Sequence, residues 1–254
     1  MRSFLTALQF LTRIRLVEQP DLTLEDFGRS VRCFPLVGLV LGAVNFLIGF
    51  GLAKFVGPSY GTAAILTLLP ILLTGGLHCD GFMDTADGLF SGRERARMLE
   101  IMKDSRVGSF GVVAFGGSLL FDFALVLDLG QAVPVLLVAL FLAPVIGRMA
   151  MVLAVACFPY ARPEGMGKAF HAMAGKGTVA AALAVTVAVT VPWGIHALVV
   201  LACALGAALA FDHYAAKQLG GLTGDLYGAT EKLTETAVLF FFWVLLHLPQ
   251  EGFF

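Results

Sequence analysis

Three aspartates, Asp80, Asp84 and Asp87, stand in the stretch GGLHCDGFMDTADG at 75–88, directly after an apolar run. Their i, i+4, i+7 spacing places all three within an arc of roughly 60° on a helix. Like charges so spaced repel and weaken an isolated helix, so local stability does not account for them. A divalent cation does: Mg²⁺ is typically held by one or two carboxylates together with phosphate oxygens of a substrate. Gly81 and Gly88 keep side-chain bulk away beside the acids, which lets a phosphate approach the backbone. The plainer alternative is a solvated acidic cap on a membrane helix.

Cations follow the acids. In SGRERARMLEIMKDSRVGSFG, Ser91 is placed to cap a helix that runs to about Asp104, closed by Lys103 and Arg106. Asp104 either orients Arg106 or caps that helix. Acids for a metal followed by cations for phosphate are what phosphoryl transfer requires. A second block, GGLTGDLYGATEKLTE at 220–235, repeats the Gly-Gly-Leu-x-x-Asp of 75–80. It brings Asp225, Glu231 and Glu235 to the same side of the chain's helices, where two loops can share one metal site. With 29 glycines in the chain, a chance echo is also open. Asp122 and Arg148 lie inside apolar segments, where an ionisable group is costly and faces a partner or a wet cavity. Arg148 sits about 15 Å of helix from its cytoplasmic end. It either pairs with Asp122 or snorkels, or it binds a phosphate deep in a cavity. His78, beside the acids, reads as a hydrogen-bonding or interface residue. His171, His196, His213 and His247 are scattered and carry no assignment.

The elements that position these residues are apolar helices. The 254 residues are 58% hydrophobic and 14% charged, against about 25% charged in an ordinary soluble domain. This composition implies a single all-α, integral-membrane domain over 1–254. Seven segments read as spans: about 33–56, 60–77, 108–129, 133–157, 178–193, 195–216 and 236–250. Lys and Arg fill alternate connections (1–32, 78–107, 158–177 and 217–235) and are missing from the others. By the positive-inside rule the N-terminus and these large connections are cytoplasmic. On that reading 78–107 is a cytoplasmic Asp-rich loop and 217–235 a second acidic cytoplasmic block. Residues 1–20 form an amphipathic helix, with Phe4, Leu8, Leu11 and Ile14 on one stripe, stopped before Pro20. It lies either in the membrane interface or packed on the bundle. The start lacks a signal-peptide pattern. A net charge of −1 gives no field for nucleic acid, and Cys33, Cys79, Cys157 and Cys203 are too scattered for a zinc site or a disulfide framework.

Taken together, these blocks resemble the cobalamin synthases, the adenosylcobinamide-GDP ribazoletransferases of the bacterial cytoplasmic membrane. The likeness covers nearly the whole chain: FLTRI at 10–14, RCFPLVGLVLG at 32–42, GGLHCDGFMDTADGLFSGRERARMLEIMKDSRVGSFG from 75, ARPEGMGKAF at 161–170 and GGLTGD at 220–225. Arg148 stands where an intramembrane arginine is expected. The chain departs from the pattern at Arg15, where proline is usual, and at Cys79, where an aliphatic residue is. Lys232 takes the place of a glutamate, with Glu231 one step earlier and Glu235 in register. That leaves Glu231 without a firm ligand role and makes Lys232 a candidate partner for an acid.

The resemblance implies the last joining step of the cobalamin nucleotide loop. The donor is adenosylcobinamide-GDP, the acceptor α-ribazole or its 5′-phosphate, the products adenosylcobalamin or its phosphate and GMP, and the cofactor Mg²⁺. On this reading Asp80, Asp84 and Asp87, with Asp225 and Glu235, hold the metal. Lys103, Arg106, Lys168, Arg148 and His78 contact substrate. The enzyme is then a multi-pass protein of the inner membrane with its active site facing the cytoplasm and the bilayer as a partner. A homo-oligomer is left open. Two rivals stand beside it. One is a phosphotransferase of the CDP-alcohol phosphatidyltransferase type, whose Asp-Gly-x-x-Ala-Arg the chain does not reproduce at Asp80-Gly81. The other is a cation or corrinoid transporter, which needs acids deep in the spans rather than at helix ends.

Overall fold

A computed structural model describes residues 1–248, and among these the chain is helical throughout, apart from one isolated bridge between Tyr160 and Leu222. In chain order the helices are α1 (Arg2–Leu11), α2 (Leu24–Ser30), α3 (Phe34–Phe55), α4 (Tyr60–Thr74), α5 (Leu77–Leu89) and α6 (Arg95–Ile101). They continue with α7 (Ser109–Leu129), α8 (Val133–Cys157), α9 (Met166–Met173), α10 (Lys176–Thr190), α11 (Gly194–Leu219) and α12 (Gly224–His247).

α8 is the axis. Of its most apolar stretch 83% is buried, against 22% for α7, and it packs against α3, α10, α11 and α12. The outer helices instead expose Leu47, Phe50, Val113, Leu120 and Ile195, side chains that suit lipid rather than water. α3 meets α8 through Gly38 and Gly42, one turn apart, where a Cβ would run into the backbone of Pro144, Val145 and Phe141. Such small-residue contacts let helices approach closely where lipid removes the hydrophobic drive.

Four helical runs are long and apolar enough to cross a bilayer: 24–55, 109–129, 133–157 and 176–219. α4 and α5 together make a fifth, broken by a 92° bend. The expected count of seven is not reached on that measure, for local reasons. α4 and α10 have only 15 residues each. The run 176–219 is interrupted at Gly194, whose φ of +84° no helix tolerates. The last helix begins at Gly224, not near 236, so Asp225–Glu235 form its first half instead of a loop. The end of the seventh expected span, 249–250, lies outside the described residues. Residues 1–20 are also corrected: α1 ends at Leu11, and Ala7, Leu8 and Leu11 are buried in a core with Val31 and Phe34. The packed form of that helix is therefore the one observed.

Candidate active site

Two glycine pairs set the site's geometry. α4 ends at Gly75 (φ +67°), and Gly76 (φ +76°) opens α5. The amide of Gly76 donates to Ile71 O at 2.9 Å and that of Gly75 to Leu72 O at 3.2 Å, satisfying the last carbonyls of α4. The left-handed pair turns the chain through 92°. The echo at Gly220 (φ +69°) and Gly221 (φ +145°) ends α11 with positive-φ glycines, and Leu222 and Thr223 lead on to α12.

α5 and α12 then cross almost backbone to backbone. A Cβ on Gly81 would lie 2.6 Å from the carbonyl oxygen of Asp225, and one on Gly228 would lie 3.3 Å from the Cα of His78. The crossing brings Asp225 to the aspartates of α5. Asp80 and Asp225 both act on Asp84 as like charges, with Asp87 weaker and Arg162 the opposing cation. Arg162 donates to Asp225 Oδ2 at 2.8 Å. Its loop is tied down by the bridge, in which Leu222 N donates to Pro159 O and Ala161 N to Leu222 O, both at 2.8 Å. Thr223 caps α12 and its hydroxyl also reaches Asp225, at 3.2 Å.

The predicted site residues separate into three groups. Asp80, Asp84 and Asp225 gather at the crossing, Asp80 exposed and the other two half-buried. Asp87 is buried and accepts the amides of Gly108 at 2.7 Å and Gly111 at 2.9 Å. It supplies the N-terminal cap that Gly108, without a side chain, cannot give to α7. Glu235 lies deeper, in ion pairs formed by Arg148 with both Glu231 and Glu235. His78 closes this cluster, its Nδ1 2.9 Å from Glu231 Oε2 and 3.4 Å from Arg148 Nη2.

Several local expectations change. Arg148 neither pairs with Asp122 nor snorkels; Asp122 is bonded to Lys232 and to Thr236, as the departure at 232 suggested for the lysine. Ser91 caps no helix: its hydroxyl donates to Gly88 O at 2.7 Å, and α6 starts later, at Arg95, with Glu94 at its N-cap position making no side-chain cap. Arg106 and Lys103 are exposed. Arg106 forks onto Asp104 at 3.0 and 2.7 Å, and these bonds hold the Asp104 carboxyl down at about 2. Asp104 thus orients Arg106. Lys168 donates to Pro163 O at 2.7 Å on the exposed loop that carries Arg162. In the sequence Arg162 is one charge among those of a basic connection, and the ARPEGMGKAF block is the signal that points at it.

Among the described residues no group of three or more His, Cys, Asp or Glu side chains is arranged to hold a metal ion. The donors at the crossing are carboxylate oxygens only, crowded by like charge against one guanidinium. That set fits a hard cation such as Mg²⁺, which takes one or two carboxylates and completes its shell from water and phosphate oxygens. It does not fit a preformed cage.

Residues 3–243 match the family model described as cobalamin-5-phosphate synthase. The adenosylcobinamide-GDP ribazoletransferase of Desulfitobacterium hafniense is 39% identical, covering 97% of this chain and 98% of that protein. Its counterpart in Desulforamulus reducens is 41% identical over 85% and 86% of the two chains. That of Citrobacter koseri is 37% identical over 93% and 97%. No solved structure matches. The chain belongs to the cobalamin-5-phosphate synthase family of transferases.

Proposed function

We infer that this chain joins adenosylcobinamide-GDP to α-ribazole or α-ribazole 5′-phosphate. A ribazole hydroxyl attacks the phosphorus that carries the cobinamide, the P–O bond to GMP breaks, and GMP leaves with the bonding electrons. The hydroxyl proton passes to a carboxylate at the crossing. The observation that carries this reading is the close crossing of α5, which bears Asp80 and Asp84, with α12, whose Asp225 is paired with Arg162, in a chain of this family. Bound at these carboxylates, Mg²⁺ supplies electrostatic stabilisation of the phosphoryl oxygens and of the leaving group. Arg162 is placed to take a phosphate oxygen in exchange for Asp225, and Lys103, Arg106 and Lys168 are exposed cations available to substrate. Asp87 and Arg148 act one step back, Asp87 by fixing α7 and Arg148 by fixing α12. The basic residues of 1–32, 78–107 and 158–177 support an inner-membrane protein with this site on the cytoplasmic side.

One observation favours the carrier reading: Asp122, Glu231 and Glu235 are deep in the bundle. All three are paired with Arg148 or Lys232, which counts against their binding a transported cation.

The test uses the full chain in liposomes with adenosylcobinamide-GDP and α-ribazole, with and without Mg²⁺, following GMP and cobalamin together. Matched, Mg²⁺-dependent release of both products is expected. Neither product from folded protein refutes the assignment.

A further inference from the structure

An open cavity of about 550 Å³ lies between the N-terminal arm and the α4–α5 elbow. The arm is pinned there by its backbone, Arg13 N donating to Leu73 O at 2.8 Å. The Arg13 side chain then passes directly over Gly75, where any Cβ would collide with its Cδ, Nε and Cζ. The elbow glycine thus serves twice, for its left-handed φ and for the room it leaves an arginine. Arg15 lines the same cavity. Neither guanidinium has a hydrogen bond or ion pair to any described residue, and both are exposed. Opposite them is Asp80, the exposed carboxylate of the cluster at the crossing. The remaining wall includes Phe10, Met83 and Phe115.

Two unpaired guanidiniums beside a carboxylate do not suit a cation or a neutral sugar. They suit an anion that also reaches the metal-binding side of the cluster, and a phosphate is the group that Arg binds in a fixed, two-pronged geometry. The aromatic and thioether wall suits a planar base. We propose that this cavity is a nucleotide subsite, with Arg13 as its principal phosphate ligand, Arg15 as a second, and the base against Phe10, Met83 and Phe115. The proposal rests on the transferase reading above and adds to it the place of one reactant. Two reactants carry the required chemistry: the GMP half of the donor and the 5′-phosphate form of the acceptor.

Arg13→Met, in the full chain reconstituted in liposomes, tests it through three separate KM values. These are for adenosylcobinamide-GDP, α-ribazole and α-ribazole 5′-phosphate. Loss of a charged hydrogen-bonding partner raises KM for the phosphate-bearing reactant about tenfold to a hundredfold, while kcat changes far less. A rise confined to α-ribazole 5′-phosphate places the acceptor in the cavity. A rise for the donor, with either acceptor, places the GMP half there. Unchanged KM values for all three overturn the proposal and leave the transferase reading standing. If the wild type shows no turnover, that reading fails by itself. Equilibrium dialysis of GMP and of α-ribazole 5′-phosphate against wild type and variant then decides the subsite alone: at least tenfold weaker binding of one of them supports it, and equal binding of both overturns it. Arg15→Met, on a segment without regular structure, decides the matter by the same readouts if Arg13→Met fails to fold.

Discussion

Replacing Arg148 with methionine isolates what the buried ion cluster contributes. Arg148 is 1% exposed and lies between Glu231, fully buried, and Glu235, 14% exposed. Methionine keeps much of the apolar stem but strands both carboxylates. His78 sits beside one oxygen of Glu231 but does not replace the guanidinium that bridges the two acids. Removing one partner of a buried ion pair costs about 3–5 kcal/mol. At about 2–4 °C per kcal/mol for a chain of this size, the melting temperature falls by roughly 6–20 °C. The assay is thermal unfolding in detergent, read by tryptophan fluorescence. Adding Glu235→Gln to Arg148→Met restores part of the loss, because groups in one network couple by about 0.5–3 kcal/mol. Turnover falls in the single variant because α12 loses its anchor to α8 and Asp225 moves from the crossing. A melting temperature within about 2 °C of wild type refutes the reasoning. A raised donor KM at unchanged stability shows instead that Arg148 contacts phosphate.

The remaining predictions divide the three aspartates of α5 and probe the crossing. Asp84→Asn keeps the fold and lowers kcat by about a hundredfold or more, with Mg²⁺ stimulation lost; near-normal turnover with intact Mg²⁺ dependence refutes the cluster's role. Asp87→Ala costs about 1 kcal/mol of stability by uncapping α7, seen as a lower melting temperature, while Mg²⁺ dependence persists; loss of that dependence with stability intact makes Asp87 a ligand instead. Gly81→Ala forces a Cβ to within 2.6 Å of Asp225 O, so α5 and α12 must separate. It destabilises by about 1–3 kcal/mol and lowers turnover together with stability, and a variant of wild-type stability and rate shows that the helices do not touch there.

The helices that the sequence showed most clearly are those whose apolar runs are long and uncharged: α3, α7 and α8 fall close to the expected segments. The expectation erred where polar residues are buried inside a helix. Glu231, Lys232 and Glu235 fall in an expected cytoplasmic block because hydropathy registers each group alone, while their burial depends on Arg148 and Asp122 from other helices. Pairing of that kind is a tertiary property and leaves no local periodicity. Asp80 and Asp84 stand out in the sequence because their spacing has no local reward. Asp87 shares the spacing but caps α7, a partnership formed across the sequence distance from 87 to 108 that no helical pattern encodes. Arg162 was hidden for the same reason: its partner Asp225 is brought to it by the bridge at Tyr160 and Leu222.

The two Gly-Gly-Leu elbows explain how a greasy bundle comes to hold a polar site. Each ends an apolar helix with left-handed glycines and starts another whose first turns carry an aspartate, Asp80 after one and Asp225 after the other. Each is also crossed by an arginine from a distant segment: Arg13 over Gly75 and Arg95 over Gly220, both where a Cβ would collide with the guanidinium group. An alanine at either place is therefore opposed twice, by the positive φ and by the arginine. The elbows turn α5 and α12 toward one another, Gly81 and Gly228 let their backbones meet, and the paired charges around Arg148 and Lys232 hold α12 in place from behind. The acids can then crowd at the crossing without a local penalty deciding the fold, because the helices that carry them are fixed by contacts elsewhere.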